Sequence, residues 1–227
     1  MKSLGICCVL AAAGSVAFTL LLLRGYGEPS AVLVSAAGRA VDSTTAPAVS
    51  HEQVLFKCGL TAPCPPGHFS FKVASGAANV LASKICWEDA IVTMPALSEM
   101  QGGLSVVLIN GMNGEIMDRR IFNLYSGDPE ECLRLLRAIE EKTIVVVASF
   151  DDVATCMDSE IRDILSELGS TQSKSLRFRD SWVFLGAKGV NGQSPFEQLV
   201  ENNMRNNAYA GWPARAEVAG CVPQFRP

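Results

Sequence analysis

The alternation of large apolar residues is strongest over residues 178–189, where the sequence predicts a strand that is buried on both sides. Side chains two positions apart share one face of an extended chain, so the two faces are read separately. One face carries Trp182, Phe184 and Gly186, and the other carries Val183, Leu185 and Ala187. Because both faces are apolar, we expect this strand to lie inside a packed domain with a layer on each side.

Shorter patterns earlier in the chain predict two more strands. Phe69, Phe71 and Val73 alternate with polar residues, as in a half-buried strand. We predict a further strand over residues 85–94, although Asp89 stands where the next apolar residue should be.

A hairpin and a buried strand follow. Residues 104–109 form an apolar run, and residues 110–114 are rich in Asn and Gly, which favour turns. Together with the segment 115–122, they predict a β-hairpin. The apolar run at residues 143–150 predicts a strand that is buried throughout.

Two helices are predicted between these strands. Asp128 stands at the N-cap of the first helix, Pro129 suits its first turn, and Glu131 completes a capping box. Its apolar stripe has helical spacing and consists of Cys132, Leu135, Leu136 and Ile139. The stripe of the second helix consists of Ile161, Ile164, Leu165 and Leu168, and Gly169 ends that helix.

The order of these elements leaves the type of sheet open. Strand, helix, strand, helix and strand over residues 115–187 favour a parallel α/β sheet, whereas the hairpins before them favour an antiparallel sheet. Residues 194–227 are predicted to be mostly loop, with a last short strand before Cys221. Pattern alone therefore leaves a mixed or α+β fold.

The N-terminal part has a different character. Residues 1–27 contain an apolar run flanked by basic residues, which predicts a signal peptide or an uncleaved signal anchor. Residues 28–55 are rich in Ala, Ser, Thr, Val and Pro without a sustained period, as in a linker or propeptide. We expect residues 56–227 to form the globular domain.

The charge pattern excludes one class of partner. The formal net charge is −4, and removal of residues 1–27 takes away two basic residues and no acid, which leaves about −6. Because no basic patch or Arg-rich stripe is present, nucleic acid is not expected as a partner. Membrane contact is expected only through an uncleaved leader.

Cysteines indicate an oxidising compartment. Beyond the leader the chain contains Cys58, Cys64, Cys86, Cys132, Cys156 and Cys221. An even number of cysteines in an exported chain predicts disulfides, but the count alone leaves every pairing open. A zinc site is not expected, because close ligand pairs are lacking and only His51 and His68 could contribute imidazole.

Charged residues lie at the ends of two predicted buried strands. Arg179 and Asp180 precede the strand in residues 178–189, as a surface ion pair or as groups that face a ligand. Asp151 and Asp152 follow the strand at residues 143–150, as site carboxylates or as helix caps.

Aromatic and histidine residues add little chemistry. Trp87, Trp182 and Trp212 could stack on a sugar or pack in the core, and only Trp212, in a Gly-Trp-Pro loop, is expected to be partly exposed. His51 lies in the predicted linker and His68 directly precedes a strand. A histidine-based catalytic triad is therefore not expected, and neither catalytic residues nor a cofactor are predicted.

Several short motifs occur in an order that resembles a known family. They include Cys58-Gly-Leu, Ser75-Gly-Ala-Ala-Asn-Val80, Phe150-Asp-Asp152, Phe178-Arg-Asp-Ser-Trp-Val-Phe184, Gly186-Ala-Lys-Gly189, Gly211-Trp-Pro213 and Gly220-Cys221. From about residue 56 to 222 the chain resembles the secreted cytokine-like family of interleukin-like EMT inducer and pancreatic-derived factor.

The resemblance implies a fold, two bridges and a binding site. The fold would be a compact α+β sandwich of two β-sheets with short flanking helices, stapled by the disulfides Cys58–Cys86 and Cys64–Cys221. Members are described as hormone-like or cytokine-like, and are not enzymes. A similar domain in the stem of an O-mannose GlcNAc-transferase looks like a glycan-binding module, and its pocket residues would fall at Asp151 and Arg179.

Three departures from the family pattern bear on function. Gly102 stands where the family usually carries an arginine, so a glycan pocket would lose a cationic wall. Leu185 replaces a cysteine that one branch uses for covalent dimers. Cys132 and Cys156 are additional cysteines, and we hypothesise that they form a third bridge between the first helix and the start of the second.

We therefore predict a secreted, extracellular, cytokine-like or hormone-like protein that acts through a cell-surface receptor. A lectin-like glycan-binding module is the alternative. In either case the predicted ligand-binding residues are Asp151, Arg179, Asp180 and Trp182.

Overall fold

In the part of the chain that the structure describes, nine strands in two antiparallel sheets form the framework. The structure, a computed structural model, describes residues 55–92 and 102–226. The predicted leader and nearly all of the predicted linker lie outside the described residues. Within the described residues, no helix is long and apolar enough to cross a membrane.

The first sheet, which we call the front sheet, has the strand order β3-β2-β1-β9. Its strands are β1 (His68–Ala74), β2 (Lys84–Trp87), β3 (Ala90–Ile91) and β9 (Glu217–Pro223). A 3-10 helix at Lys57–Gly59 precedes them. Because β1 pairs with β9 along its whole length, the two ends of the described chain meet in this sheet.

The second sheet, which we call the central sheet, has the strand order β5-β4-β6-β7-β8. Its strands are β4 (Gly103–Asn110), β5 (Ile116–Phe122), β6 (Thr143–Phe150), β7 (Ser181–Ala187) and β8 (Phe196–Val200). The helices α1 (Glu130–Arg137) and α2 (Ser159–Glu167) and a 3-10 helix at Ser173–Ser175 complete the described fold.

Each face of the central sheet packs on its own apolar core. Toward the front sheet, Val183 and Leu185 of β7 join Phe71 and Val73 of β1 in one buried cluster. On the other face, Trp182 and Phe184 lie in a second cluster with residues of both helices. All seven residues of β7 are buried. The predictions of a strand covered on both sides and of an α+β two-sheet fold are therefore confirmed.

The helices follow the predicted stripes, but one cap differs. Cys132 and Leu136 of α1 and Ile161 and Leu165 of α2 are buried against the central sheet. Asp128 Oδ1 accepts a hydrogen bond from the backbone N–H of Glu130 at 2.9 Å. The predicted capping box is wrong, because Glu131 reaches across to Arg120 of β5, Oε1 to Nη1 3.3 Å, and not back to the cap.

Two predicted elements have different bounds. The strand predicted over residues 85–94 is a hairpin within its described part, because Glu88 and Asp89 turn the chain with φ of 48° and 72°. Asp89 lies in this turn, which explains why it interrupts the alternation of apolar residues in the sequence. The tail, predicted to be mostly loop, contains β8 and a β9 that continues past Cys221.

Candidate functional site

The candidate site lies where β6 ends and β7 begins. These strands are antiparallel neighbours, with Ala148 opposite Val183, so the residues that follow one strand lie beside those that precede the other. Asp151 and Arg179 are therefore brought together, as the resemblance implied. Both have left-handed backbone conformations, with φ of 54° and 60°. Such strained positions in residues other than glycine persist only where surrounding contacts hold them, and they are frequent in binding sites.

Asp152 holds the two loops in this arrangement. Its carboxylate is buried, and Oδ1 accepts hydrogen bonds from the backbone N–H groups of Ala154 and Arg179, each at 3.1 Å. Oδ2 accepts a third from Thr155 N–H at 3.3 Å. The helix-cap interpretation of residues 151 and 152 is wrong, because Asp158 caps α2 by accepting from Ile161 N–H at 2.8 Å. Asp152 instead joins the loop after β6 to the turn before β7.

The Asp151 side chain is only 15% exposed, and its carboxylate accepts a hydrogen bond from a tryptophan. The indole Nε1 of Trp212 donates to Asp151 Oδ1 at 2.8 Å. The same oxygen lies 3.7 Å from Arg179 Nε, which makes an ion pair that is longer than a hydrogen bond. Trp212 is half-buried, as expected for the Gly-Trp-Pro loop.

Arg179 is enclosed by aromatic rings. Its guanidinium carbon lies 4.0 Å from the ring centroid of Trp212 and 4.7 Å from that of Phe178, within the range of cation–π attraction. Arg179 Nε is buried and has no hydrogen-bond partner among the described residues. The alternative of a surface ion pair with Asp180 is wrong, because Arg179 pairs with Asp151 instead.

Exposed apolar side chains continue this surface. Phe178 is 45% exposed, Tyr209 is 42% exposed and Met204 is 94% exposed. Asn202 Nδ2 donates to the carbonyl of Phe178 at 3.0 Å, so the loop after β8 lies against the turn before β7. Tyr209 and Trp212 form an isolated antiparallel bridge in the same loop. We call Phe178, Arg179, Met204, Tyr209 and Trp212 the aromatic surface.

The other two predicted ligand-binding residues lie inside the protein. Asp180 is 1% exposed, and its carboxylate accepts from the backbone N–H groups of Arg177 at 2.8 Å and Asn202 at 2.7 Å. Burial raises the pKa of Asp180 more than these hydrogen bonds lower it. Trp182 is fully buried and donates through Nε1 to Glu197 at 2.9 Å. The structure thus places both side chains in contacts that support β7.

Arg162 is an important residue that the sequence analysis missed. Its guanidinium donates to four backbone carbonyls that belong to the loop after β6 and to the segment after α2, namely those of Ala154, Met157, Ser173 and Leu176. Burial lowers its pKa. The available signal was weak: an arginine directly beside Ile161, the first residue of the buried stripe of α2.

Gly102 borders the same loop. Its φ is +74°, and an added Cβ would lie 3.0 Å from Tyr125 Cβ and 3.3 Å from the Asp152 carbonyl oxygen. A larger side chain at this position would therefore require backbone adjustment as well as space. In this chain the position contributes no cationic wall beside Asp151 and Arg179.

Both disulfides that the resemblance implied are present. Cys58 is bonded to Cys86 and Cys64 to Cys221. The hypothesised third bridge between Cys132 and Cys156 is not formed: Cys132 lies in the core under α1, and Cys156 Sγ lies 3.4 Å from the carbonyl oxygen of Tyr125. Burial, with added repulsion from Asp158 and Glu131, raises the pKa of the Cys132 thiol to about 12.

Neither a metal site nor a histidine site is apparent in the part of the chain that the structure describes. No group of three or more His, Cys, Asp or Glu residues in residues 55–92 and 102–226 could hold a metal ion. His68 is the first residue of β1 in the front sheet, and its Nδ1 lies 3.3 Å from the carbonyl oxygen of Pro66. His51 lies outside the described residues.

Comparison with known proteins gives consistent matches. The family model described as interleukin-like EMT inducer matches residues 102–190. Protein FAM3A of Homo sapiens is 48% identical over 169 residues, which cover 74% of each chain. Protein FAM3D of Mus musculus is 47% identical over 168 residues, 74% of this chain and 75% of that protein. Protein FAM3C of Homo sapiens is 44% identical over 169 residues, 74% of each chain.

Proposed function

The chain belongs to the FAM3 family of interleukin-like EMT inducer proteins, and we propose that it is a secreted cytokine-like or hormone-like protein that signals through a cell-surface receptor. Relatives that are 44–48% identical to this chain align with it over nearly three quarters of both sequences. Such identity over most of both chains supports a shared mode of action. An interleukin-like protein acts by presenting a surface to a partner.

The disulfides support export to an oxidising compartment. In the cytosol, glutathione and thioredoxin reduce disulfides. Bridges such as Cys58–Cys86 and Cys64–Cys221 therefore persist only outside it. A signal peptide or anchor in residues 1–27 would provide the route. Residues 28–55 would then connect the leader to the domain or be removed.

The aromatic surface is the observation that carries the receptor proposal. Binding hot spots are enriched in Trp, Tyr and Arg, and Phe and Met are also over-represented in interfaces. Here Phe178 and Tyr209 are exposed near Trp212, Met204 is exposed in the loop that contacts Phe178, and Arg179 is already ordered between two rings. A preordered surface loses less conformational entropy when a partner binds.

Binding of the secreted full chain to receptor-bearing cells tests this proposal. We expect Phe178→Ala and Met204→Ala each to weaken binding by about tenfold, the effect of removing a hot-spot contact. Met117→Ala is the matched control, because Met117 is 53% exposed on the edge strand β5 and lies outside the aromatic surface. Reduction of both disulfides should abolish binding. Unchanged binding by both aromatic-surface variants would contradict the proposal.

A lectin-like module is the second candidate, favoured by the pairing of Asp151 with Arg179 beside a tryptophan. Carboxylate, guanidinium and indole are groups that hold sugars through hydrogen bonds and ring contacts. Against this candidate, Arg179 stacks on the Trp212 ring at 4.0 Å and thereby occupies one of its faces.

A glycan array separates the two candidates. A lectin would bind a defined glycan, lose that binding on Asp151→Asn or Arg179→Ala, and keep it on Met204→Ala. A receptor ligand would give no glycan signal above background and would lose cell binding on Met204→Ala.

A further inference from the structure

The outer face of the front sheet is only half covered. Directly opposed residues of antiparallel strands share a face. Phe71 and Val73 of β1 face the core, so the residues between and beside them face outward. By register the outward residues include Ser70, Lys72 and Ala74 of β1, Lys84 and Cys86 of β2, and Glu217 and Cys221 of β9. Both disulfides therefore attach to this outer face.

The Cys64–Cys221 disulfide covers one half of this face, and the Cys58–Cys86 disulfide lines the other half, which is open. Cys221 lies opposite Ser70, and its bond to Cys64 holds the N-terminal segment over that half. Around Ala74 the face is open, and a cleft of about 440 Å³ lies there. Its walls include Lys72, Lys84 and Arg215.

The described lining of this cleft carries one more positive side chain than negative ones, because three cations face two carboxylates. Of the two acidic residues in its lining, Glu217 pairs with Lys72 at 2.8 Å, and Asp89 Oδ1 accepts from the backbone N–H of Cys58 at 3.0 Å. Lys84 has no ion pair among residues 55–92 and 102–226. Arg215 has none in those ranges either, and its Nε donates to the carbonyl of Ser75 at 2.7 Å.

The two cations that lack an ion pair among the described residues lie near each other. Lys84 and Glu217 are both opposite Ala74, on either side of it. Their backbones are therefore about 10 Å apart, two inter-strand spacings. Arg215 precedes Glu217 by two residues and lines the same cleft. In a chain of net charge −4, this is a local concentration of positive charge.

We propose that this cleft binds a small ligand that carries a sulfate or phosphate group on a body the size of a sugar. Arginine and lysine are the side chains that bind such oxyanions through charge-assisted hydrogen bonds. A volume of about 440 Å³ lies in the range of small-molecule sites and exceeds what a bare tetrahedral ion fills. Ala74 and the exposed side chain of Ile91 supply apolar walls for the uncharged part.

Titration of the full secreted chain with glucose 6-sulfate, glucose 6-phosphate and glucose tests the site by NMR. We expect saturable shifts at the amides of Lys84, Arg215 and Glu217 with at least one ester and none with glucose. The ester that binds more tightly shows whether the site prefers a sulfate or a phosphate group. Inorganic sulfate should bind more weakly than either ester that binds. If inorganic sulfate bound as tightly as the esters, the proposal that the ligand has a sugar-sized body would be overturned.

Charge variants locate the site. Lys84→Gln with Arg215→Gln should weaken ester binding by about fivefold or more, as expected for two solvent-accessible ion contacts. Arg134→Gln with Lys188→Gln removes the same charge elsewhere and should leave affinity within about twofold. Because Arg215 also bonds Ser75, Lys84→Gln alone is the variant that leaves the fold untouched, and it should still weaken binding. Equal binding by Lys84→Gln and the control, or no saturable shift with either ester, overturns the proposal.

Discussion

Trp212 donates its indole hydrogen to Asp151 at 2.8 Å, across 61 residues of sequence. This bond ties the loop before β9 to the loop after β6. It fixes the ring on which Arg179 stacks, so the position of Trp212 in the aromatic surface depends on the Asp151 carboxylate. Asp151 holds this position with a φ of 54°, in the left-handed region.

Substitutions at Asp151 separate the hydrogen bond from the backbone strain. Both Asp151→Ala and Asp151→Gly remove the acceptor for Trp212, but only glycine adopts a positive φ without a steric cost. We expect the alanine variant to be less stable than the glycine variant by about 1 kcal/mol. Urea unfolding measures the difference, and equal stability of the two variants would contradict the assigned strain.

The stability of the protein should be sensitive even to the conservative replacement of Arg162 by lysine. Its guanidinium donates to four carbonyls, and the single ammonium of lysine cannot reproduce that geometry. We expect Arg162→Lys to lower the free energy of unfolding by about 2–3 kcal/mol. Arg134→Lys is the control, because among the described residues the Arg134 side chain bonds only the carbonyl of Glu130, at 3.4 Å on an exposed helix face. A small loss at Arg162, comparable to the control, would refute the role.

The two disulfides should differ in their contribution to stability. Cys64–Cys221 closes a loop with a sequence separation of 157, whereas Cys58–Cys86 closes one of 28. In the chain-entropy account these correspond to about 5 and about 4 kcal/mol. Replacing both cysteines of each pair by alanine and comparing the unfolding midpoints tests the order. A larger loss from the Cys58–Cys86 pair would show that native contacts outweigh loop entropy.

Glu88 should make stability depend on acid pH. Burial opposes its ionisation, but hydrogen bonds from Lys57 and from the N–H and hydroxyl of Ser70 outweigh burial and lower its pKa below the usual 4.5. A lowered folded-state pKa gives stability that is present above the unfolded pKa and lost as pH falls through the folded one.

We therefore expect Glu88→Gln to be about 1–2 kcal/mol less stable than the native chain at neutral pH. That gap should shrink as the pH falls below 4.5 and through the folded-state pKa of Glu88. Urea unfolding across this pH window is the measurement. Glu131→Gln, at an exposed ion pair, is the control and should show little pH-dependent difference.

Cys132 should be chemically inert in the folded protein. Its thiol is buried and its pKa is raised to about 12, so almost no thiolate forms near neutral pH. We expect iodoacetamide at about pH 8 to leave Cys132 unmodified in the native chain and to alkylate it in urea. Mass mapping of a non-reduced digest reads both states. A Cys132–Cys156 peptide in that digest would instead restore the third bridge.

The periodicity of single segments predicted much of the fold. The two apolar faces of β7, the continuous apolar run of β6 and the stripes of both helices identified buried surfaces correctly. Such patterns succeed because burial of a face depends on the local repeat of the backbone. The family motifs in the sequence added the pairing of the cysteines.

What lies opposite each element was decided by the tertiary structure. The break at Asp89 became a hairpin turn, β8 was recognised only through its partner β7, and the short strand predicted before Cys221 proved to extend past it as β9 along β1. The N-cap of α2 proved to be Asp158, and Asp152 joins two loops instead. Arg162 donates hydrogen bonds to four backbone carbonyls.

The sequence by itself determined which apolar faces of β6, β7 and the two helices are buried, because apolar spacing is a local property of the chain. Only the tertiary structure decided that Asp151, Arg179 and Trp212 meet, and that Lys84 and Arg215 line one cleft. These contacts join segments far apart in sequence, and antiparallel register, which no single segment encodes, sets which residues become neighbours.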